Sequence, residues 1–175
     1  MYIGLISDTH GKFCKDVQDF LSDVDCIWHA GDFGGIETAD EIAAFKPLTG
    51  VYGNIDGQDV RRTYPQFQIF ECEGLRILMT HIGLRRGSYW AFDPKRPTYD
   101  AYAKSLIDTY HPDIFVFGHS HIPQVFRDPF YNMLAMNPGT CGFNGPSEVP
   151  RLALRFHIEK GQIFGLEKCE LPGKI

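Results

Sequence analysis

The chain has 175 residues, 43% of them hydrophobic and 22% charged, with a formal net charge of −5 at pH 7. These values are ordinary for a soluble globular protein and fit one domain, residues 1–175, with a sizeable core. They exclude a general nucleic-acid surface, which would be basic, and no segment approaches the ~18 apolar residues of a membrane span.

Tyr2 to Ser7 reads as a buried strand, and Asp8-Thr9-His10 follows it. Phe13 to Leu21 has helical spacing through Phe13, Val17, Phe20 and Leu21. Cys26 to Ala30 predicts a second strand, followed by Gly31-Asp32. Ile36 to Phe45 predicts a short helix stopped by Pro47. Leu48 to Tyr52 is a third strand, leading into Gly53-Asn54. Phe67 to Phe70 and Leu75 to Thr80 flank Glu71-Cys72-Glu73-Gly74 and read as a hairpin that ends on Thr80-His81.

Gly83 to Pro97 reads as an irregular loop. Thr98 to Tyr110 predicts a helix with Tyr102, Leu106 and Ile107 on its inner face. Ile114 to Phe117 is apolar throughout, as a central strand would be, and precedes Gly118-His119-Ser120-His121. Short strands then follow at Gln124 to Arg127, Met133 to Met136, Leu152 to Ile158 and Gln162 to Glu167, with a hairpin turn at Glu159-Lys160-Gly161. Strand–helix alternation in the first half and mostly strands in the last third predict an α/β chain: a mixed sheet plus a second sheet, flanked by helices.

The five cysteines, Cys14, Cys26, Cys72, Cys141 and Cys169, are scattered and form no C-x-x-C pair. Neither a disulfide framework nor a thiolate zinc site is expected, and a reducing compartment is the natural reading. The N-terminal apolar run is too short for a signal peptide, since it reaches Asp8 and His10 at once. The expected location is cytoplasmic.

The five polar motifs matter most. Each follows a strand, so each belongs at a strand's C-terminal end, where α/β sheets bind ligands. Together they offer seven candidate ligands for a pair of metal ions: Asp8, His10, Asp32, Asn54, His81, His119 and His121. Two divalent cations about 3.5–4 Å apart can clamp the oxygens of an in-line phosphoryl displacement. Such a site needs a bridging carboxylate, and Asp32, set among glycine turns, is the candidate. Asp8 and His10 alternate around Thr9, as His119 and His121 do around Ser120. In an extended segment each pair would face one side. Imidazole, carboxylate and amide donors without thiolate suit manganese, iron, zinc, nickel or cobalt and do not choose among them; two divalent ions are expected, with manganese favoured. Two divalent ions with Asp8 and Asp32 would leave a positive cluster, able to attract a phosphate ester even on an acidic protein.

This ordered set of D-x-H, G-D, G-N, H and G-H-x-H resembles the calcineurin-like metallophosphoesterases. Gly53-Asn54-Ile55-Asp56 and Asn137-Pro138-Gly139-Thr140 resemble their small bacterial and archaeal phosphodiesterase branch. The resemblance runs from Met1 to about Arg155. It implies a four-layer α/β/β/α sandwich of two mixed sheets, with a dinuclear site at its edge. It also implies that Asp8, His10, Asp32 and His121 hold one ion, and Asp32, Asn54, His81 and His119 the other. Asp32, Asn54 and His81 then act in catalysis through the metal-bound nucleophile, a bridging hydroxide. The chain departs from the pattern twice. Ile55 stands where many members carry a histidine that serves as an acid or stabilises the transition state, and Ile82 stands where the branch often has glycine.

Simpler readings exist for single residues. A lone histidine is commonly structural, Asp8 and Asp32 could cap turns, and Asn54 could be a left-handed turn residue. The ordered set outweighs these readings. His29 reads as a packing or orienting residue, His111 and His157 as uninvolved, and Asp56 as an orienter or a turn aspartate. Arg61-Arg62 and Arg85-Arg86 are either solvated surface or phosphate contacts, with Arg85 and Arg86 the candidate substrate-binding residues. Tyr89, Trp90 and Phe92 could wall a substrate site, cover the core or build a dimer contact. The expected activity is metal-dependent hydrolysis of a small phosphate ester, a diester above a monoester. The alternatives are a phosphomonoesterase, a protein phosphatase, and a non-catalytic scaffold like the retromer subunit of this fold. No membrane partner is expected, and a homo-oligomer is compatible with the sequence.

Overall fold

Two five-stranded mixed sheets pack face to face in the computed structural model, which describes residues 1–144 and 148–171. Residues 145–147 and 172–175 of the expected domain lie outside the described residues. The first sheet contains β1 (Tyr2–Ile6), β2 (Cys26–His29), β3 (Leu48–Gly50), β9 (Arg151–Glu159) and β10 (Gln162–Leu171), in the order β10-β9-β1-β2-β3. The second contains β4 (Phe67–Cys72), β5 (Leu75–Thr80), β6 (Ile114–Val116), β7 (Gln124–Arg127) and β8 (Leu134–Asn137), in the order β4-β5-β6-β8-β7. Strands β1, β2 and β3 run parallel, as do β5, β6 and β8. The remaining pairings are antiparallel.

Alternation along each strand divides the core into three. Ile3 and Leu5 of β1, Trp28 of β2 and Phe156 of β9 meet Ile77, Met79 and Val116 from the other sheet. On the outer face of the first sheet, Ile6 and Ile27 pack under α1 (Lys15–Phe20), α2 (Ile36–Phe45) and α3 (Gln58–Thr63). On the outer face of the second, Leu78, Phe115 and Phe117 pack against Ala103, Leu106 and Ile107 of α4 (Ala101–Tyr110). The result is the expected α/β/β/α sandwich.

Most elements follow the sequence reading, with informative differences. Helix α3 has six residues and buries only Val60, too little for hydrophobic periodicity to show. Helix α4 begins at Ala101 rather than Thr98, because the Asp100 side chain caps it by accepting from the Tyr102 N–H at 2.9 Å. Its inner face is Ala103, Leu106 and Ile107, so Tyr102 turns outward and is 39% exposed, contrary to expectation. The hairpin turn at Lys160-Gly161 places both residues at positive φ, which suits the twist of the flanking strands. No helix among the described residues is long and apolar enough to cross a membrane.

Asp56 joins the loops that the parallel strands β2 and β3 carry to one edge. Its buried carboxylate accepts from the backbone N–H of Phe33 (3.2 Å), Gly34 (2.9 Å) and Gly53 (2.7 Å). That fixes the Asp32 loop against the Asn54 loop.

Two outcomes are expected. Trp28 lies fully buried between the sheets, edge-on to Phe70 and Phe156. Trp28→Ala should cost about 3–5 kcal/mol, which corresponds to a fall in Tm of roughly 6–20 °C for a chain of this size. Calorimetry checks this, and a shift under 2 °C would deny Trp28 its central role. Asp56→Ala strands three backbone donors, at about 1–3 kcal/mol for each buried group left unsatisfied. The metal-free variant should melt well below the parent in urea, and Asp56→Asn should lose less, because its carboxamide oxygen still accepts.

Candidate metal centre

The five motif loops meet at one end of the seam between the sheets. Asp8 and His10 follow β1, Asp32 follows β2, Asn54 follows β3, His81 follows β5, and His119 and His121 follow β6. Backbone bonds lace the loops together: Asp8 N–H donates to the Gly31 carbonyl (2.9 Å), His10 N–H to Asp32 (3.2 Å) and Gly118 N–H to His81 (2.9 Å). Gly53 lets two loops touch, since a Cβ there would lie 1.9 Å from Asp32 Oδ1.

Five of the seven candidate ligands adopt left-handed backbone: Asp8 (φ 55°), His10 (48°), Asp32 (58°), His119 (69°) and His121 (59°). Such conformations are uncommon for residues other than glycine. They correct the expectation of extended segments. Asp8 and His10 do face each other, with His10 Nε2 3.9 Å from Asp8 Oδ1, but through kinks rather than strand alternation. His119 and His121 diverge. His121 Nε2 lies 3.2 Å from His10 Nε2, whereas the His119 ring lies edge-on to His81, 5.3 Å between centroids.

The donor atoms of Asp8, His10, Asp32 and His121 all lie within 4.8 Å of one another. Asp8 Oδ2 accepts from Ser7 Oγ (2.5 Å) and from the His119 N–H (3.2 Å). Asp8 Oδ1 is buried and makes no hydrogen bond, with His121 Nε2 3.1 Å away and His81 Nε2 4.0 Å away. An orphaned carboxylate oxygen is costly to bury. A cation among these nitrogens and oxygens would satisfy it, so the donor set fits a divalent metal.

Asp32 faces two ways. Its Oδ2 lies 3.9 Å from His10 Nε2, and its Oδ1 lies 3.2 Å from His81 Nε2 and accepts from the Ile55 N–H at 3.1 Å. Beyond it, His81 Nε2 and Asn54 Oδ1 are 3.2 Å apart. His81 Nδ1 sits 2.7 Å from the Ala30 carbonyl. Donating there aims Nε2 into the cluster.

Burial alone would lower the His81 pKa, but its hydrogen bond to Asp32 and the charges of Asp8 and Asp32 push it up to about 8. Burial would likewise raise both aspartates, yet the neighbouring imidazoles hold their carboxyls below the usual carboxylate range. The cluster therefore draws either protons or cations, and metal uptake would displace the His81 proton.

His29 is a brace, as expected. Its Nδ1 accepts from the Gly31 N–H (3.1 Å), its Nε2 meets Thr9 Oγ1 (3.0 Å), and its ring stacks on Phe33 at 3.7 Å. Burial pushes its pKa down to about 3, so it stays neutral. Two further supports come from the Asn137-Pro138-Gly139-Thr140 run. Thr140 Oγ1 donates to the Asp8 carbonyl (2.9 Å), and Asn137 Nδ2 donates to the Gly118 carbonyl and to Ser120 Oγ (both 3.0 Å). The one signal for them was the polar Asn137-Pro138-Gly139-Thr140 run that directly follows an apolar strand.

A cleft of about 280 Å³ adjoins Asn54 and His81, lined also by Tyr52, Arg61, Gln66, Asp100 and Tyr102. Arg61 packs on the Tyr52 ring at 4.5 Å and donates to the carbonyls of Asp56 (2.6 Å) and Asn54 (3.1 Å). Arg85 and Arg86 are both exposed on the loop after His81 and do not line this cleft. The aromatic trio on that loop divides. Phe92 packs on Phe126 at 4.8 Å, Tyr89 lies edge-on to His119 at 6.1 Å, and Trp90 is 70% exposed.

Residues 1–161 match the calcineurin-like phosphoesterase superfamily domain. A probable metallophosphoesterase of Methanocaldococcus jannaschii is 30% identical over 161 residues, spanning 89% of this chain and 72% of that protein. The solved structure of an archaeal phosphodiesterase superposes with a TM-score of 0.72 at 21% identity, covering 98% of this chain and 100% of that one. Vps29 of Chaetomium thermophilum superposes at 0.70 with 14% identity over 97% of each chain. Vps29 of Entamoeba histolytica, solved with Zn²⁺, superposes at 0.69 with 16% identity over 97% of this chain and 99% of that one. At such identities the solved structures speak for the fold, while the domain match and the archaeal relative speak for the family. With its motifs gathered at one sheet edge, this chain belongs to the calcineurin-like phosphoesterase superfamily, among its metallophosphoesterases.

Proposed function

We propose that this protein hydrolyses phosphodiesters at a dinuclear metal site. The observation that carries this reading is the placement of Asp32, with Oδ2 3.9 Å from His10 Nε2 and Oδ1 3.2 Å from His81 Nε2, which in turn meets Asn54. Two divalent ions held by these groups would supply Lewis-acid polarisation of the phosphoryl oxygens and a water acidified enough to attack at neutral pH. Asp8, His10, Asp32 and His121 suit one ion, and Asp32, Asn54, His81 and His119 the other.

The chain's own residues set the rest. Asp8 and Asp32 bring two negative charges, so a pair of divalent ions keeps a net positive field for the phosphate. The brace at His29 and the Ala30 carbonyl hold Thr9 and His81 in place, so little rearrangement accompanies the reaction. The cleft beside Asn54 and His81 offers room for a second ester substituent, which a diester has and a monoester lacks. The likeness to an archaeal phosphodiesterase supports the same preference. A scaffold role is the second reading, favoured by the Vps29 likenesses. Metal analysis combined with a panel of mono- and diesters decides: full metal occupancy without turnover of any ester would favour the scaffold.

Two outcomes test the mechanism. Asp32→Asn removes the carboxylate whose two oxygens face the two donor groups. Its metal content, read by elemental analysis, should fall from two ions per chain to one or none. Its kcat/KM should fall further than the roughly 10–100-fold typical of losing a supporting group around a metal. Two ions and normal turnover would refute the bridging role.

Proton delivery to the leaving group gives the second. Ile55 is 49% exposed beside Asn54 and offers no proton. His29 is buried with both ring nitrogens engaged, which removes it as an acid. Rates over diesters of graded leaving-group pKa should therefore fall steeply from aryl to alkyl. Ile55→His should speed alkyl esters, up to the 10²–10⁴-fold that general acid catalysis typically supplies. A flat series, with chemistry rate-limiting, would mean that another group protonates the leaving oxygen.

A further inference from the structure

Three sulfur atoms meet at the end of the seam remote from the metal centre. Met1 precedes β1, Cys26 opens β2 and Cys72 closes β4. Met1 Sδ lies 3.6 Å from Cys72 Sγ and 3.9 Å from Cys26 Sγ. The Met1 amine donates to the Ile158 carbonyl at 2.7 Å, which pins the residue against the end of β9. Cys72 is buried, Cys26 is half-buried and Met1 is 49% exposed, so solvent reaches the cluster. No spacing signal marks these residues, because they come from three elements in two sheets.

We propose that Met1, Cys26 and Cys72 form a binding site for one Cu(I) ion, separate from the Asp8–Asp32 centre. The donor set chooses the ion: thiolate and thioether are the soft ligands that select Cu(I). A zinc ion prefers four ligands in a tetrahedron, and this cluster offers three sulfurs. Taking a metal–sulfur bond of about 2.3 Å, three sulfurs in a plane around one ion stand about 4 Å apart. The two sides that Met1 Sδ makes, 3.6 and 3.9 Å, are close to that. Binding would release one proton from each thiol, leaving two thiolates and one monovalent ion, a single negative charge. The Met1 ammonium opposes that charge, while Asp25 beside Cys26 and Glu73 beside Cys72 act more strongly the other way. Burial pushes the Cys26 thiol up to about 11 and raises that of Cys72. Both sulfurs therefore stay protonated until an ion with strong affinity for sulfur displaces the protons. Met1 stands seven residues before Asp8, roughly 20 Å along an extended chain, so the two sites can fill independently.

Packing alone would also bring these sulfurs into contact, and a titration separates the two cases. The reduced full chain, its metal centre preloaded with manganese, competes anaerobically with a chromogenic chelator for Cu(I). One Cu(I) per chain should leave the chelator. Cys26→Ser and Cys72→Ser should each weaken binding at least tenfold, while Cys169→Ser, on β10, should not. Copper-edge absorption should show sulfur coordination, with a copper–selenium contribution in selenomethionine protein. If Cys72→Ser fails to fold, Cys26→Ser, at the half-buried position, decides. The site is refuted if the chelator keeps the copper, if Cys26→Ser binds like the parent, or if absorption shows only nitrogen and oxygen ligands.

Discussion

The structure turns on the burial of Asp8. Its carboxylate is fully enclosed, and one oxygen is satisfied by Ser7 and the His119 N–H while the other has no donor. Its backbone carbonyl accepts from Thr140 Oγ1 and the Gly142 N–H. A single residue thus ties the β1 loop to the loops after β6 and β8. A charged group so placed is tolerable only with positive or hydrogen-bonding neighbours. The nearby imidazoles come from three motifs, His10 from Asp8's own and His81 and His121 from two others. They follow β1, β5 and β6, so parallel strands of both sheets deliver groups to the same buried charge.

The geometry has a cost. Five left-handed non-glycine residues at about 1 kcal/mol or more each approach the whole net stability of a typical domain, roughly 5–15 kcal/mol. The core and the loop bonds must offset that strain. Asp56 gathers three N–H groups, and Asn137 anchors the Gly118-His119 loop from the end of β8. Asn137, Asp56 and His29 are themselves buried. A strained ligand loop is therefore clamped from below by polar residues that never reach the centre. That is the arrangement expected where donor positions must be set before the ions arrive.

Sequence pattern carried the fold where it expressed itself locally. Strands β1, β2 and β6 were legible as short apolar runs, and α2 as a 3.6-residue rhythm ended by Pro47. The rhythm failed at α3, which buries one side chain, and was displaced by one position at Tyr102. The site was legible as residue types in order, because ligand chemistry restricts residue types strongly. Its geometry was not. Alternation around Thr9 and Ser120 suggested extended segments, whereas the backbone kinks at Asp8, His10, His119 and His121. Those kinks are imposed by bonds from distant loops, such as Asp8 N–H to Gly31 and Gly142 N–H to Asp8, and no local propensity encodes them. The role of Arg61 was hidden for the same reason. It lines the cleft because the carbonyls of Asp56 and Asn54 hold it there, while the arginines nearer His81 in sequence extend to solvent.

The same charges decide how an acidic chain could attract an anionic ester. The net charge is −5, and the cleft beside His81 is lined by one arginine, Arg61, and by Asp100. His81, pushed up to about 8, adds positive charge there only until metal uptake displaces its proton. With Asp8 and Asp32 ionised and the centre empty, a phosphate would meet like charge in a partly desolvated site. On the dinuclear reading, the sign of the local potential is set by the ions alone. Substrate binding and chemistry would then share one switch, and the metal-free protein would fail at the first step rather than only at the second. A scaffold has no such requirement. Its surface could hold a partner with the centre empty, which is why the filled ligand set counts toward catalysis.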